Sequence, residues 1–326
     1  MAILVTGGAG YIGSHMVIEL IQHGHEVVVL DNLVTGFRKA VHPEAHFIEG
    51  EVGSADMLDE VFTTHDIADV IHFAGSIIVP ESVENPLKYY GNNTTVSRTL
   101  IEACVRHNIR NFIFSSTAAV YGDPAVVPIG EDAELEPLSP YGTSKLMTEW
   151  MLADVAKAHD FAYVALRYFN VAGADPEGRT GQSTANATHL IKVACQAALG
   201  RRSHLSVFGD DYDTPDGTGM RDYIHVSDLA AAHRLALDWL KRGGDSGAMN
   251  CGYGHGFSVL EVIEAVKRVT GVDFAVKMEG RRAGDSPKVV ARVDKINRAL
   301  GWKAAYDDLD TIVAHAYAWE KRLDQL

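Results

Sequence analysis

The chain opens on a short apolar run, Ala2–Thr6, that ends in glycines. An apolar run of that length, bounded by a turn signal, predicts a strand buried on both faces. Apolar positions then recur over roughly 11–23, with Ile12, Met16, Ile18 and Leu20 among them, and predict a helix. A second buried strand is expected at Val27–Leu30, ending in Asp31. Strand-like runs return at 46–49, 69–74, 111–115 and 162–167, and helical patterns lie between most of them, notably at 86–108 and 140–159. Strands alternating with helices predict an α/β fold built on a doubly wound parallel sheet.

The pattern changes after about residue 170. Residues 171–186 and 209–220 are rich in Gly, Asp, Asn, Ser and Thr and predict long loops, which in a compact chain usually carry function. Helices are expected at about 187–200, 227–242, 258–270 and 307–323. The expected division is a first domain over 1–170 and a smaller C-terminal α/β lobe over 171–326, with 221–251 returning to the first domain.

Composition narrows the function. With 326 residues and 47% hydrophobic positions the chain has the means for a packed core. A net charge of −14 argues against a nucleic-acid surface, so an anionic ligand must be held by a few local cations. Cys104, Cys195 and Cys251 are odd in number and form no C-x-x-C pair, which suits a reducing cytoplasm. Neither a signal-peptide pattern nor an apolar run of membrane-spanning length is seen, so no membrane is expected. The histidines fall into no metal-binding spacing, and no metal is expected.

The first glycines read Gly8-x-Gly10-x-x-Gly13, placed between a strand and a helix. Such glycines let the backbone turn tightly and approach a pyrophosphate, which then meets the helix N-terminus. Asp31 lies about 20 residues on, where an acidic side chain suits a ribose 2′-hydroxyl and repels a 2′-phosphate. NAD is thus expected over NADP. The plainer reading makes the glycines a tight turn and Asp31 a cap.

Tyr141 and Lys145 are four residues apart and share one face of a helix. A free phenol is a poor base at neutral pH, and a nearby cation favours the phenolate. Lowering its pKa by roughly 3 units takes about 4 kcal/mol. An isolated Y-x-x-x-K is more often an exposed helix. Here Ser115, Ser116 and Thr117 end an expected strand, where an open α/β sheet binds its ligand. Alone, those hydroxyls read as a satisfied turn; with Tyr141 and Lys145 they form a hydroxyl, phenol and ammonium set.

The runs Thr6–Gly13, Asp31–Leu33, His72–Gly75, Ser115–Ala118, Tyr141–Lys145 and Arg167–Asn170 together resemble the extended short-chain dehydrogenase/reductases, and most specifically the UDP-glucose 4-epimerase family. Asp216–Val226 and Arg281–Asp285 extend the resemblance, which covers residues 1 to about 300. It implies a Rossmann NAD-binding domain followed by a substrate lobe. It also implies epimerisation of a UDP-hexose at C4, through a transient 4-keto sugar, with tightly bound NAD recycled. In that reaction Tyr141 would take the proton of the sugar 4-hydroxyl. Thr117 would bond the same oxygen, and Lys145 would bond the nicotinamide ribose and depress the Tyr141 pKa. Around NAD the resemblance places Gly7, Gly10, Tyr11, Ile12 and Gly13 at the pyrophosphate, and Asp31, Asn32, Glu51 and Val52 at the adenosine. Phe73, Ala74, Asn92, Ser115 and Tyr168 would also contact the cofactor. Asn170, His189, Leu190, Phe208, Arg221 and Arg282 would hold the nucleotide sugar, with Asp285 on its uridine-ribose side and Val289 beside the 2-substituent. Two guanidinium groups suit a diphosphate. The helices at 86–108 and 140–159 would form a homodimer interface.

Some positions depart from the family pattern. Glu51 stands for Asp, Ile77 for Lys, His189 for Asn and Thr117 for Ser. Val289 is small enough to admit an N-acetyl group, so UDP-N-acetylhexosamines are alternative substrates, as are UDP-pentoses and UDP-uronates. A nucleotide-sugar dehydratase needs an acid just after the strand-end hydroxyl, where this chain has Ala118 and Ala119. A non-catalytic NAD-sensing protein is disfavoured by the retained Tyr141, Lys145 and Thr117, since fold alone does not give function.

Overall fold

The computed structural model describes residues 1–184, 188–282 and 285–323. The end of the expected loop 171–186, the expected helix start at 187, Ala283 and Gly284 of the Arg281–Asp285 run, and residues 324–326 lie outside the described residues.

Six strands come from the first half of the chain: β1 Ala2–Thr6, β2 Val27–Asp31, β3 His46–Glu49, β4 Ile67–His72, β5 Asn111–Ser115 and β6 Ala162–Tyr168. Between them run α1 Tyr11–Gln22, α2 Ala55–Thr64, α3 Val79–Glu84, α4 Pro86–Tyr89, α5 Val96–Arg106 and α6 Pro140–Ala158. The chain then makes β7 Asn170–Ala172, α7 Leu190–Ala198, β8 Leu205–Phe208, β9 Met220–Arg221 and β10 Tyr223–His225. It next crosses α8 Val226–Lys241 and lays β11 Gly247–Cys251 against β6. The resulting seven-stranded sheet has the order β11-β6-β5-β4-β1-β2-β3, with every pair parallel.

Side chains alternate across a strand, so each strand of this sheet feeds two cores. Ile3, Val5, Val27, Val29, Ile71, Ile113 and Val164 face α1 and α8. Ala2, Leu4, Val28, Leu30, Val70, Phe112 and Ala165 face α2, α5 and α6. Burial on both faces is why the strands read as unbroken apolar runs.

Two expectations change in detail. The strand expected at 69–74 runs from 67 to 72, so Phe73 and Ala74 leave the sheet at its C-terminal edge. The helix expected at 86–108 runs without a gap from Pro86 to Arg106, but α4 passes through a wider π turn at Tyr90–Thr95 before α5 begins. Such turns carry an extra residue and often mark functional sites. Here the turn directs Asn93 inward, where it accepts from Ser76 N at 2.7 Å and donates to Ser144 Oγ at 3.0 Å.

The rest of the chain adds β12 Phe257–Ser258, α9 Val259–Thr270, β13 Val276–Glu279, β14 Lys288–Val289, α10 Asp294–Leu300 and α11 Leu309–Arg322. Helices α7, α9 and α11 share a third core with Leu205 and Val207 of β8. Short ladders join β13 to β8, and β12 and β14 to β9.

Candidate active site

The strand order reverses between β1 and β4, and ligands of open α/β sheets bind at such a switch point. The loop after β1 is shaped for a close approach. Gly7 has φ +72°, and a Cβ there would lie 2.6 Å from Ala74 N; a Cβ on Gly13 would lie 2.1 Å from the Gly7 oxygen. Gly10 caps α1 without a side-chain acceptor, which leaves the first-turn N–H groups of Tyr11, Ile12 and Gly13 for an anion.

Asp31 closes β2 and is buried. Its carboxylate accepts from Ala9 N at 3.0 Å and Leu33 N at 2.8 Å. Burial pushes its pKa up, and these two bonds oppose the shift. The side chain therefore braces the glycine loop. Each carboxylate oxygen keeps a second lone pair, so the cap and the ribose ligand are compatible roles. Asn32 Nδ2 reaches both carboxylate oxygens of Glu51, at 3.2 and 3.1 Å, which brings those two expected adenosine contacts together beside the buried Val52. The residues present thus fit a dinucleotide.

Helix α6 carries the chemistry. Ser139 caps it by accepting from Gly142 N at 3.2 Å, and Pro140 occupies its first turn. Tyr141 and Lys145 are both buried. The Lys145 ammonium donates to the Ser115 carbonyl at 2.9 Å and lies 4.9 Å from the Phe114 ring centre. Burial lowers its pKa to about 8. Burial also raises the Tyr141 pKa, and a hydrogen bond with Thr117 partly offsets the rise. Within the chain itself the ammonium is engaged with a carbonyl, and Thr117 is the neighbour that favours the phenolate. Ser115 Oγ bonds the Tyr168 hydroxyl, and the Tyr89 ring stands edge-on to Tyr141 at 6.4 Å. Phe73 and Tyr168 flank His233, at 4.8 and 6.1 Å between ring centres. Asn92, in the π turn, donates to Ser76 Oγ at 2.9 Å.

The expected sugar contacts fall into separate groups. Asn170 opens β7, and Arg221 in β9 pairs with Val289 in the β14 ladder. Val289 and Phe169 pack against the cluster of Ala118, Val120, Tyr121, Ile129 and Leu146, which joins β14 to the region of the strand-end turn. Phe208 ends β8 with the Arg282 guanidinium 3.5 Å from its ring centre. Arg282 and Asp285 are exposed. His189 caps α7 ahead of Leu190 and lies 3.4 Å from Gln182 Nε2. Ile77 is half exposed, at 50%. Among the described residues no cluster of three or more His, Cys, Asp or Glu side chains is arranged for a metal ion.

Sequence reasoning missed several supports. Asp222 is fully buried and accepts from Tyr253 N, Gly254 N and Ala291 N at 2.8, 3.0 and 3.2 Å, which pins the corner beside Arg221. Nothing in its sequence context marks that role. Glu149 also went unread, although it repeats the spacing of four that picked out Lys145.

Comparison with known proteins agrees with this geometry. The profile of the NAD dependent epimerase/dehydratase family matches residues 3–252, and the chain belongs to that family. Within it, a UDP-glucose 4-epimerase from Azospirillum brasilense is 57% identical over 323 residues, covering 99% of this chain and 93% of that protein. The crystal structure of UDP-glucose 4-epimerase from Brucella ovis in complex with NAD superposes with a TM-score of 0.95 at 46% identity, covering 98% of each chain. The UDP-Glc/GlcNAc 4-epimerase of Campylobacter jejuni gives a TM-score of 0.87 at 47% identity, over 98% of this chain and 99% of that one.

Proposed function

We propose that the chain is an NAD-dependent 4-epimerase that interconverts UDP-glucose and UDP-galactose. The observation that carries the reading is the buried Tyr141, with Thr117 close enough to favour its phenolate and Lys145 one turn on, set beside a glycine loop that admits a dinucleotide. When bound, NAD supplies a hydride acceptor and the positive charge of its nicotinamide ring. The chain's own residues do the rest. Tyr141 holds or releases the proton of the sugar hydroxyl, because a base must flank the carbon that loses hydrogen. Thr117 bonds the phenol and passes the proton. Lys145, with a pKa of about 8, stays largely protonated at neutral pH and can bond a ribose hydroxyl without losing its carbonyl partner. The glycine loop, Asp31, Asn32, Phe73, Ala74, Ser115 and Tyr168 hold the cofactor. Arg221 and Arg282 grip the diphosphate, since a guanidinium binds phosphate in a bidentate way.

A second reading has its own support. Val289 is a small residue packed against the cluster that joins β14 to the region of the strand-end turn, and the Campylobacter jejuni relative acts on UDP-GlcNAc as well as UDP-Glc. UDP-N-acetylhexosamines are therefore included as substrates. The chain also works as a cytoplasmic homodimer in this reading. The supporting feature is a group of exposed apolar side chains on α3, α4 and α6: Val83 at 62%, Leu87 at 79% and Trp150 at 56%.

The test is incubation of the purified protein with UDP-glucose, UDP-galactose and their N-acetyl forms, with no added cofactor, followed by separation of the products. Conversion of the plain hexoses is expected, and an NAD released on denaturation should match the protein in amount. No conversion with NAD restored would sink the reading. Turnover of plain but not N-acetyl sugars would remove the second reading alone.

A further inference from the structure

The catalytic face of α6 continues one turn past Lys145. Tyr141, Lys145 and Glu149 are spaced four apart and make one stripe along the helix. Each meets one of three consecutive buried residues, Ser115, Ser116 and Thr117, at the end of β5 and just past it. Lys145 Nζ donates to the Ser115 carbonyl, the Ser116 hydroxyl donates to Glu149 Oε1, and Thr117 lies close enough to Tyr141 to lower its pKa. The other side of the Glu149 carboxylate is gripped by Arg167 of β6. Its Nε donates to Oε1 at 3.0 Å and to Oε2 at 3.2 Å, and its Nη2 donates to Oε2. Glu149 and Arg167 are 6% and 5% exposed.

The connections run on. Arg167 Nη1 donates to the Tyr121 hydroxyl at 2.9 Å, Tyr121 donates to Asn250 Oδ1 at 2.7 Å, and Asn250 Nδ2 donates to the Ile129 carbonyl at 2.8 Å. Burial opposes the charge on Arg167, but Glu149 and Tyr121 more than offset it and hold the guanidinium above its ordinary pKa. A buried charged pair is thus anchored to α6, β5, β6 and β11 at once. Filling that space with apolar side chains of equal volume is often no less stable. A forked, charge-assisted pair adds what apolar packing lacks, a fixed direction.

We propose that Glu149, clamped by Arg167, is the positioning residue of the catalytic helix: it sets the rotation and height of α6 so that the Tyr141 phenol meets Thr117. The inference rests on the reading of Tyr141 as the base. Two contacts one turn apart leave a helix free to rock about the line between them. The Ser116–Glu149–Arg167 contact, a further turn along and held from a second strand, removes that freedom. Misplacement of reacting groups by an ångström can cost about a hundredfold in rate.

The test compares the holoenzyme with Glu149→Gln, which keeps the size of the side chain but removes its charge, and with Ser116→Ala, which removes one bond. The expected result for Glu149→Gln is a kcat lowered by about tenfold to a hundredfold, with KM within about threefold of wild type. Bound NAD should be unchanged, and the isotope effect with 4-deuterated UDP-glucose should grow, because hydrogen transfer has become slower. Ser116→Ala should show the same pattern to a smaller degree. Wild-type kcat in both variants, whatever their melting temperatures, would overturn the proposal, as would an activity loss matched by loss of bound NAD. If Glu149→Gln does not fold, Ser116→Ala decides on its own: a wild-type kcat overturns the proposal and a lowered kcat at unchanged KM supports it. An inactive wild type would instead count against the reading of Tyr141, so the two failures are distinguishable.

Discussion

At the scale of single residues, the site is a matter of how burial and hydrogen bonds set the two titrating groups. Burial works against ionisation of both: it raises the Tyr141 phenol and lowers the Lys145 ammonium to about 8. Thr117 is the neighbour that favours the phenolate. Tyr141→Phe removes the proton carrier while leaving the ring against Tyr89, so turnover should fall by about 10²–10⁴ with the protein still folded and NAD still bound. A steady-state assay and cofactor release on denaturation check both halves. The identity of this pair was legible in the sequence from spacing alone. The carbonyl of residue 115 that holds Lys145 was not, because spacing along one helix says nothing about what faces it from a strand.

At the scale of elements, the sequence was most readable where a strand is buried on both faces. β1, β2 and β5 each stand where an apolar run was read as a strand. The segment 86–108 was read as one helix, and it is one from 86 to 106, but the π turn inside it was not legible, since Tyr90–Thr95 carries no apolar period to show an added residue. The short strands of the small lobe were not legible: two to four residues give no usable period, and β9, β12 and β14 exist because they pair with one another. The glycine loop offers a sharp test at this scale. Gly13→Ala puts a Cβ 2.1 Å from the Gly7 oxygen, so α1 must move away from the loop. The variant should purify with little NAD and regain only partial activity when NAD is added in excess, measured by absorbance and turnover. The exposed faces of α3, α4 and α6 offer another. Trp150→Glu places a charge in the apolar patch and should convert a dimer to a monomer in sedimentation or light scattering, while a wild-type monomer would end the dimer proposal.

At the scale of the whole molecule, four histidines are buried and held neutral. Burial is the leading cause at each, and their pKa values fall to about 4 for His15 and His233 and about 3 for His72 and His225. An unfolded chain binds protons at these side chains near pH 6.5, whereas the fold excludes them until pH 3 to 4. Stability must then rise with pH across that window and be lost as pH falls through it. Each histidine contributes about 2 kcal/mol of this loss by pH 5. Melting temperature should drop steeply between pH 6.5 and 4.5, and His233→Phe should flatten the slope by one proton's worth. A melting temperature indifferent to pH over that range would mean that these rings are protonated inside the fold.

The position of β11 has a consequence for how the protein is made. This strand pairs with β6 at the edge of the large sheet, yet some eighty residues of small-lobe chain, loops and α8 separate the two. Asn250, in β11, completes the hydrogen-bonded line from Tyr121 and Arg167 to the catalytic helix. A ribosome that has released residues 1–170 has therefore supplied Tyr141, Lys145 and the whole glycine loop without the strand that finishes their support. Until residue 251 emerges, the Ala162–Tyr168 edge stays open and able to pair with another chain. On this topology a fragment of residues 1–170 is expected to lack the edge strand that covers β6. That cover arrives only when the chain comes back from building the other half.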